Sequence, residues 1–198
     1  MQKPLHSPVS LLASFLSKRD QSPELVLVTG ESGAGKTTWC QELVLQARLA
    51  GLAPVGLVSP SVFEAGARVG IDLVEIETGE RRRLATKKEN KTSPSQPGLS
   101  TLAWNFDPAV LAWGNGILDR LAAASLLILD ELGPLEILDH KGLTSGLSLI
   151  DQKQYQTACV VIRPRLLPAA LERWPWGVAL EIPAHGQAGG PANGPGDA

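Results

Sequence analysis

The sequence predicts an α/β fold: a mostly parallel sheet covered by helices, with an antiparallel meander at one edge. Three observations predict it. The aliphatic run Leu25-Val26-Leu27-Val28 passes through a glycine-rich loop into a helical pattern, which is how a parallel strand–helix unit opens. Two later runs, Ser125-Leu126-Leu127-Ile128-Leu129 and Ala158-Cys159-Val160-Val161-Ile162, are almost continuously apolar, as strands buried on both faces are. Residues 61–85 instead alternate with period two around two glycine-containing turns, which reads as a meander of hairpins foreign to a plain parallel sheet.

At 198 residues the chain is long enough for one substantial core and short for two. Apolar residues make up 43% and charged residues 19%, the composition of an ordinary globular protein. A net charge of −2 provides no general attraction to nucleic acid or to an anionic membrane. The longest strongly apolar stretch, residues 121–129, is far too short to span a bilayer, so a cytoplasmic protein without membrane association is expected. Cys40 and Cys159 lack metal-site spacing and are read as reduced, buried small apolar residues. His6, His140 and His185 are scattered and suggest neither a metal site nor a triad.

In chain order, residues 1–22 form an arm in which Leu5, Val9, Leu12 and Leu16 share one helical face, so a short helix packed on the domain is preferred to a signal peptide. Residues 23–183 form the domain. Its first helix runs from Lys36 to about Ala50, with Gly51 placed as a C-terminal glycine, and Pro54-Val55-Gly56-Leu57-Val58-Ser59 supplies a second strand. The meander takes Ser61-Val62-Phe63, then residues 68–76, then Arg81-Arg82-Arg83-Leu84-Ala85, and residues 91–98 read as a flexible loop. Asp107-Pro108 is a helix start, with Asp as N-cap and Pro at the first helical position. Gly114-Asn115-Gly116 predicts a kink or break in that helix. A helix over 140–150, a short helix over 166–173 and a last strand over 178–182 complete the domain. Residues 184–198 are rich in Gly, Pro, Ala and Asn and are expected to be a disordered tail.

The loop Gly30-Glu31-Ser32-Gly33-Ala34-Gly35-Lys36-Thr37 has the G-x-x-x-x-G-K-[ST] pattern of a P-loop. Glycines let its backbone curl so that successive N–H groups point at phosphate oxygens, and the following helix adds its positive end. Lys36 is placed to reach the β- and γ-phosphates, Thr37 to ligate Mg2+, and Thr38 to meet the α-phosphate. The buried strand ending at Leu129 delivers Asp130 and Glu131 to the same end of such a fold. Asp130 suits the support of magnesium, and Glu131 suits polarising the water that attacks the γ-phosphate. A glutamate beside the magnesium aspartate favours hydrolysis without excluding transfer.

The run Leu127-Ile128-Leu129-Asp130-Glu131-Leu132-Gly133-Pro134-Leu135-Glu136 resembles the D-E-[IL]-G-x-[ML]-E signature of the small nucleoside-triphosphatases, the cancer-related or thermophile-type family. Gly56-Leu57-Val58-Ser59, Gly66-Ala67-Arg68-Val69-Gly70-Ile71-Asp72-Leu73 and Thr78-Gly79 are similar to that family's distinguishing segment, so the resemblance covers residues 25–182. It implies a P-loop NTPase domain with a RecA-like three-layer sandwich, and slow, broad, magnesium-dependent hydrolysis of ATP, GTP and other nucleoside triphosphates to diphosphate and phosphate. It further implies that the strand ending at Arg163 lies between the P-loop strand and the Asp130 strand. Arg163 then emerges beside the γ-phosphate, where a cation stabilises transition-state charge; Arg165 is the fallback, and a solvated strand-end arginine is the alternative. The chain departs from the family at Pro134, where some relatives carry lysine, at the irregular residues 91–101, and in its Gly/Pro tail.

Other features have structural readings. Glu136 either orients the magnesium shell or caps the next helix. Arg81-Arg82-Arg83 with Lys87-Lys88 is the only basic cluster, and a solvated edge strand is preferred to a nucleic-acid contact. Trp39, Trp104, Trp113, Trp174 and Trp176 are each assigned to core packing ahead of base stacking. Two other function classes fit the same loop. One is a nucleotide or polynucleotide 5′-hydroxyl kinase, with the meander bearing Arg68 and Arg81 to Arg83 as its lid. The other is a GTP-binding adaptor whose task is to hold a protein partner; no partner can be named from the sequence.

Overall fold

The computed structural model describes residues 7–17, 22–88, 104–130 and 132–184. Its elements, in order, are α1 (Pro8–Ser17), β1 (Glu24–Thr29), α2 (Lys36–Leu49), β2 (Val55–Val58), β3 (Ser61–Glu64), β4 (Ala67–Glu75), β5 (Arg81–Lys87), β6 (Trp104–Phe106), α3 (Pro108–Asp119), β7 (Ala124–Leu129), α4 (Pro134–Ile137), α5 (Thr144–Asp151), β8 (Tyr155–Val161), a 3-10 turn (Pro164–Leu166), α6 (Leu167–Arg173) and β9 (Gly177–Glu181). Among the described residues nine strands form one sheet in the order β6-β5-β4-β2-β7-β8-β1-β9, with β3 paired to β4. The run from β2 to β9 is parallel throughout. From β2 outward through β4, β5 and β6 every pairing is antiparallel, which is the meander at one edge.

Alternate residues of the central strands feed two cores, because successive side chains of a strand point to opposite faces. Leu25, Leu27, Leu127, Leu129, Ala158 and Val160 pack with α3, α5 and α6. Val26, Val28, Leu126, Ile128, Cys159 and Val161 pack with α1 and α2. The result is the three-layer α/β arrangement expected. Both cysteines are free and buried. Burial pushes the Cys159 thiol up to about 12 and raises that of Cys40 well above its ordinary value, the nearby Asp130 carboxylate adding to the rise at Cys40.

Several local expectations are corrected. In α1 the buried residues are Leu11, Leu12 and Phe15, whereas Val9 is 56% exposed. The helix turns its bulkiest apolar groups onto α2, since Phe15 and Leu11 remove more apolar area from water than Val9 would; Leu5 lies outside the described residues. Helix α3 runs unbroken through Gly114-Asn115-Gly116. Gly114 is there for close approach: a Cβ would come within 2.8 Å of Leu73 and 2.9 Å of Leu143. Asn115 keeps this stretch helical by donating to the Leu111 and Gly142 carbonyls at 3.1 and 2.8 Å and accepting from the Ser145 N–H at 2.9 Å. The helix expected over 140–150 starts only at Thr144, because His140 and Gly142 are left-handed (φ 50° and 72°), and the short α4 precedes it.

Strand β6 was not anticipated. It pairs with the outer edge of β5 at residues 85–87, so among the described residues β5 lacks a strand partner on that side only along its arginine-bearing half. The tail expected to be disordered and the loop over 91–98 lie outside the described residues, apart from Ala184. Among the described residues no helix is long and apolar enough to cross a membrane.

Candidate functional site

Strand β1 ends in a turn whose shape only glycine satisfies at its first position. Gly30 has φ 142°, and a Cβ there would meet the Ile182 carbonyl oxygen, just beyond β9, at 2.5 Å. Gly33 and Gly35 are left-handed (φ 84° and 89°), and Gly35 forms the N-cap of α2 without a side-chain cap. The positive end of α2 therefore faces the loop's concavity, a ready anion site. Ala34 N–H donates to the Glu31 carbonyl at 3.1 Å and closes the loop's inner turn. Lys36 Nζ folds back over the loop and donates to the Gly30 and Glu31 carbonyls at 2.6 and 2.8 Å. Those bonds hold the ammonium over the space that phosphates take in a loop of this kind.

Asp130 directly follows β7 and is 3% exposed. Its N–H donates to the Leu57 carbonyl at 2.9 Å, and its Oδ2 accepts the Ser59 N–H at 3.0 Å, so the carboxylate is pinned to the end of neighbouring β2. Strand β8 lies between β1 and β7, as the family resemblance implied. Ile162 N–H donates to the Val28 carbonyl at 2.9 Å, and the chain then leaves the sheet through Arg163 and Arg165, both exposed.

These elements enclose one cleft of about 770 Å³, within the range of about 300–1,000 Å³ usual for small-molecule sites. Gly30, Glu31, Ser32, Gly33, Gly35, Lys36, Thr37 and Thr38 line it from one side, and Asp130, Arg163 and Arg165 from the other. Ala34, the remaining loop residue, is 2% exposed and turns into the core beneath. Thr37 and Asp130 offer a hydroxyl and a carboxylate to this cleft, hard oxygen donors that fit Mg2+. Glu131 lies outside the described residues.

Glu136 is buried. Its Oε2 accepts the Gly133 N–H at 2.8 Å and its Oε1 the Leu143 N–H at 2.9 Å, so it ties α4 to the entry of α5. The three arginines of the basic cluster are paired locally. Arg83 pairs with Asp72 at 2.6 Å and Arg81 with the same carboxylate at 3.7 Å, while Arg82 pairs with Glu80 at 2.7 Å and lies over the Trp113 ring.

Sequence reasoning missed the wall opposite the loop. Pro60, Ser61, Phe63, Arg68 and Trp104 also line the cleft, and Trp104 therefore serves the site as well as the core it packs against. Its signal was present but divided: Arg68 stood out as a lid residue, whereas Trp104 lies on a strand too short to recognise from periodicity.

A parallel sheet with a glycine loop leading into a helix, an aspartate ending a strand two places away and a strand-end arginine between them define a P-loop nucleotide-binding fold. Residues 25–168 match the family described as NTPase, and the chain belongs to that family. Among curated relatives it is similar to "Nucleoside-triphosphatase THEP1" of Caldivirga maquilingensis, 33% identical over 57% of this chain and 60% of the relative. It is likewise similar to the protein of that name from Archaeoglobus fulgidus, 32% identical over 59% and 64%. The chain thus spans somewhat over half the length of the curated relatives it matches. Among solved structures, a human cancer-related nucleoside triphosphatase superposes with TM-score 0.58 at 17% identity, covering 84% of this chain and 90% of that one. THEP1 of Aquifex aeolicus superposes with TM-score 0.58 at 20% identity, covering 82% and 92%. At those identities the two structures establish the shared fold.

Proposed function

We propose that the protein hydrolyses nucleoside 5′-triphosphates, ATP and GTP among them, to diphosphate and phosphate in a magnesium-dependent reaction. The observation that carries this reading is the convergence of the Gly30 to Thr38 loop, buried Asp130 and Arg163 on one cleft. The names of the THEP1 relatives support it. The loop N–H groups and the positive end of α2 bind the phosphate chain, and Lys36 exchanges its two loop carbonyls for β- and γ-phosphate oxygens. Thr37 and Asp130 hold Mg2+, which when bound neutralises charge shared by the β- and γ-phosphates. Glu131 takes the proton of the attacking water, and Arg163 stabilises the charge that builds on the γ-phosphoryl oxygens. A P-loop reads phosphates rather than bases, which is why several triphosphates are expected to serve as substrates. The domain carrying this chemistry is residues 23–183, preceded by an arm over 1–22 whose helix α1 packs against α2, and a cytoplasmic setting suits a soluble nucleotide pool.

Phosphate release from ATP, GTP, CTP and UTP tests the proposal. Turnover of several of them is expected in magnesium, with loss on chelation and in Lys36→Ala. Turnover unaffected by either change would contradict it.

A further inference from the structure

Strands β2 and β3 are one run of chain in a single register. Leu57 and Val58 pair with Glu75 and Val74, and beyond Ser59 and Pro60 the pairing resumes with Ser61 on Ile71 and Val62 on Gly70. Each step forward along the run is matched by one step back along β4, so no residue is gained or lost across the interruption. The run therefore continues past the end of neighbouring β7, where Leu129 pairs with Leu57 and Asp130 follows.

This run fixes Ser61 relative to Asp130. Asp130 Oδ2 accepts the Ser59 N–H at 3.0 Å, and Ser61 lies two residues on, no more than about 7 Å further at roughly 3.5 Å per residue. Pro60 holds the step between them. Its ring favours an extended Ser59, and its carbonyl accepts the Asp72 N–H at 3.0 Å. Ser59 is buried and lines a second, small pocket of about 50 Å³, whereas Ser61 is half-buried and lines the main cleft with Thr37 and Asp130. Among the described residues no side-chain hydrogen bond engages the Ser61 hydroxyl.

Phosphoryl displacement needs the attacking and leaving oxygens roughly in line. The leaving diphosphate belongs to the loop after β1, and the sheet order β2-β7-β8-β1 puts β7 and β2 on the other side of the γ-phosphate. The attacking water approaches from there. It carries two protons, of which Glu131 takes one, and the second needs an acceptor to keep the lone pair aimed at phosphorus. Asp130 is committed to the Ser59 N–H and to magnesium. Of the other residues that line the cleft from this side, Pro60 and Phe63 offer no polar side-chain atom, and Arg68 and Trp104 only donate. Among the described residues Ser61 is the neutral acceptor at that place.

We propose that the Ser61 hydroxyl orients the attacking water by accepting a hydrogen bond from the proton that Glu131 does not take, a role that rests on the hydrolytic reading of the cleft. The water oxygen forms a bond to the γ-phosphorus. The bond from that phosphorus to the β,γ-bridging oxygen breaks, and its electron pair leaves on the diphosphate. Glu131 receives the proton that the water loses, and Ser61 neither gains nor loses one. An interaction of this kind is made with the water and not with the nucleotide, so it lowers the barrier without tightening ground-state binding.

The test compares wild type with Ser61→Ala, Ser61→Cys and Ser61→Thr. Phosphate release from ATP gives kcat and KM. Calorimetry gives binding of the imido analogue of ATP with magnesium, and binding of ADP with magnesium and aluminium fluoride, which mimics the γ-phosphoryl group in flight with water in line. Ser61→Ala is expected to lower kcat about 10- to 100-fold, the scale of a misplaced reacting atom. It should weaken the aluminium fluoride complex at least tenfold and leave KM and imido-analogue binding within twofold. Ser61→Thr keeps a hydroxyl on a side chain suited to a strand and should recover most of both losses. Ser61→Cys, similar in size but a weak acceptor, should behave as Ser61→Ala and remains informative if thermal melts show that the alanine variant does not fold. A kcat within twofold of wild type in the folded alanine or cysteine variant overturns the proposal. So does an equal weakening of imido-analogue binding, which would place Ser61 on the phosphates or the magnesium, or an equal loss in Ser61→Thr, which would make its role one of packing. Wild type that releases phosphate from no triphosphate overturns the hydrolytic reading itself, and the role of Ser61 falls with it.

Discussion

Arg163 and Arg165 separate by two residues at the end of β8, and both line the cleft. Their backbones differ in how they are held. Arg163 follows directly on Ile162, whose N–H is bound to the Val28 carbonyl of the P-loop strand, so its Cα is fixed relative to the phosphate loop. Arg165 sits within the 3-10 turn, one step further from the sheet. Arg163→Ala is therefore expected to lower kcat by roughly 10²- to 10³-fold, the usual cost of removing one donor that meets transition-state charge, while Arg165→Ala lowers it far less. Steady-state phosphate release from both variants checks this. Equal activity of Arg163→Ala and wild type would assign Arg163 to solvent, and a larger loss in Arg165→Ala would exchange the two roles. The sequence located both arginines, but ranking them required the hydrogen bond from Ile162, which connects strands far apart in the chain.

The connection from β7 to α5 depends on one carboxylate. Glu136 accepts two buried backbone N–H groups, from Gly133 and Leu143, and Gly142 leaves the space it occupies: a Cβ there would clash with Oε1. Removing the carboxylate strands both donors, so Glu136→Ala should destabilise the fold by about 3 kcal/mol, and Glu136→Gln, which keeps one acceptor, by less. Denaturant unfolding reads the difference. If Glu136→Gln kept full stability but lost magnesium-dependent turnover, the residue would belong to the metal shell instead. The elements that were legible in the sequence are those whose signal is local. They are the aliphatic strands β1, β7 and β8, the Asp107 cap of α3, whose Oδ1 accepts the Ala109 N–H at 2.8 Å, and the Gly51 terminus of α2 with φ 77°. What escaped depends on contacts distant in sequence. The small residue that α3 needs at Gly114 is set by Leu73 and Leu143, the late start of α5 by the path around Glu136, and β6 by a partner strand that precedes it.

At the scale of the whole molecule, the sheet divides its labour by direction. Parallel strands β1, β8 and β7 bring the phosphate loop, Arg163 and Asp130 to one edge, because parallel strands end on the same side. The antiparallel meander then rises past that edge and closes the cleft from the other side. The motif half of the site was readable because each motif ends a strand and carries its own pattern. The meander half was not, since Phe63, Arg68 and Trp104 come together only through pairing among four strands. The central claim, water attack on the γ-phosphate promoted by Glu131, is tested most directly by comparing phosphate release and nucleotide binding in wild type and Glu131→Gln. The account predicts that wild type turns over several triphosphates, and that the variant binds them with similar affinity yet releases phosphate about 10²- to 10⁴-fold more slowly. Undiminished turnover in the variant, or tight binding without turnover in wild type, would contradict it.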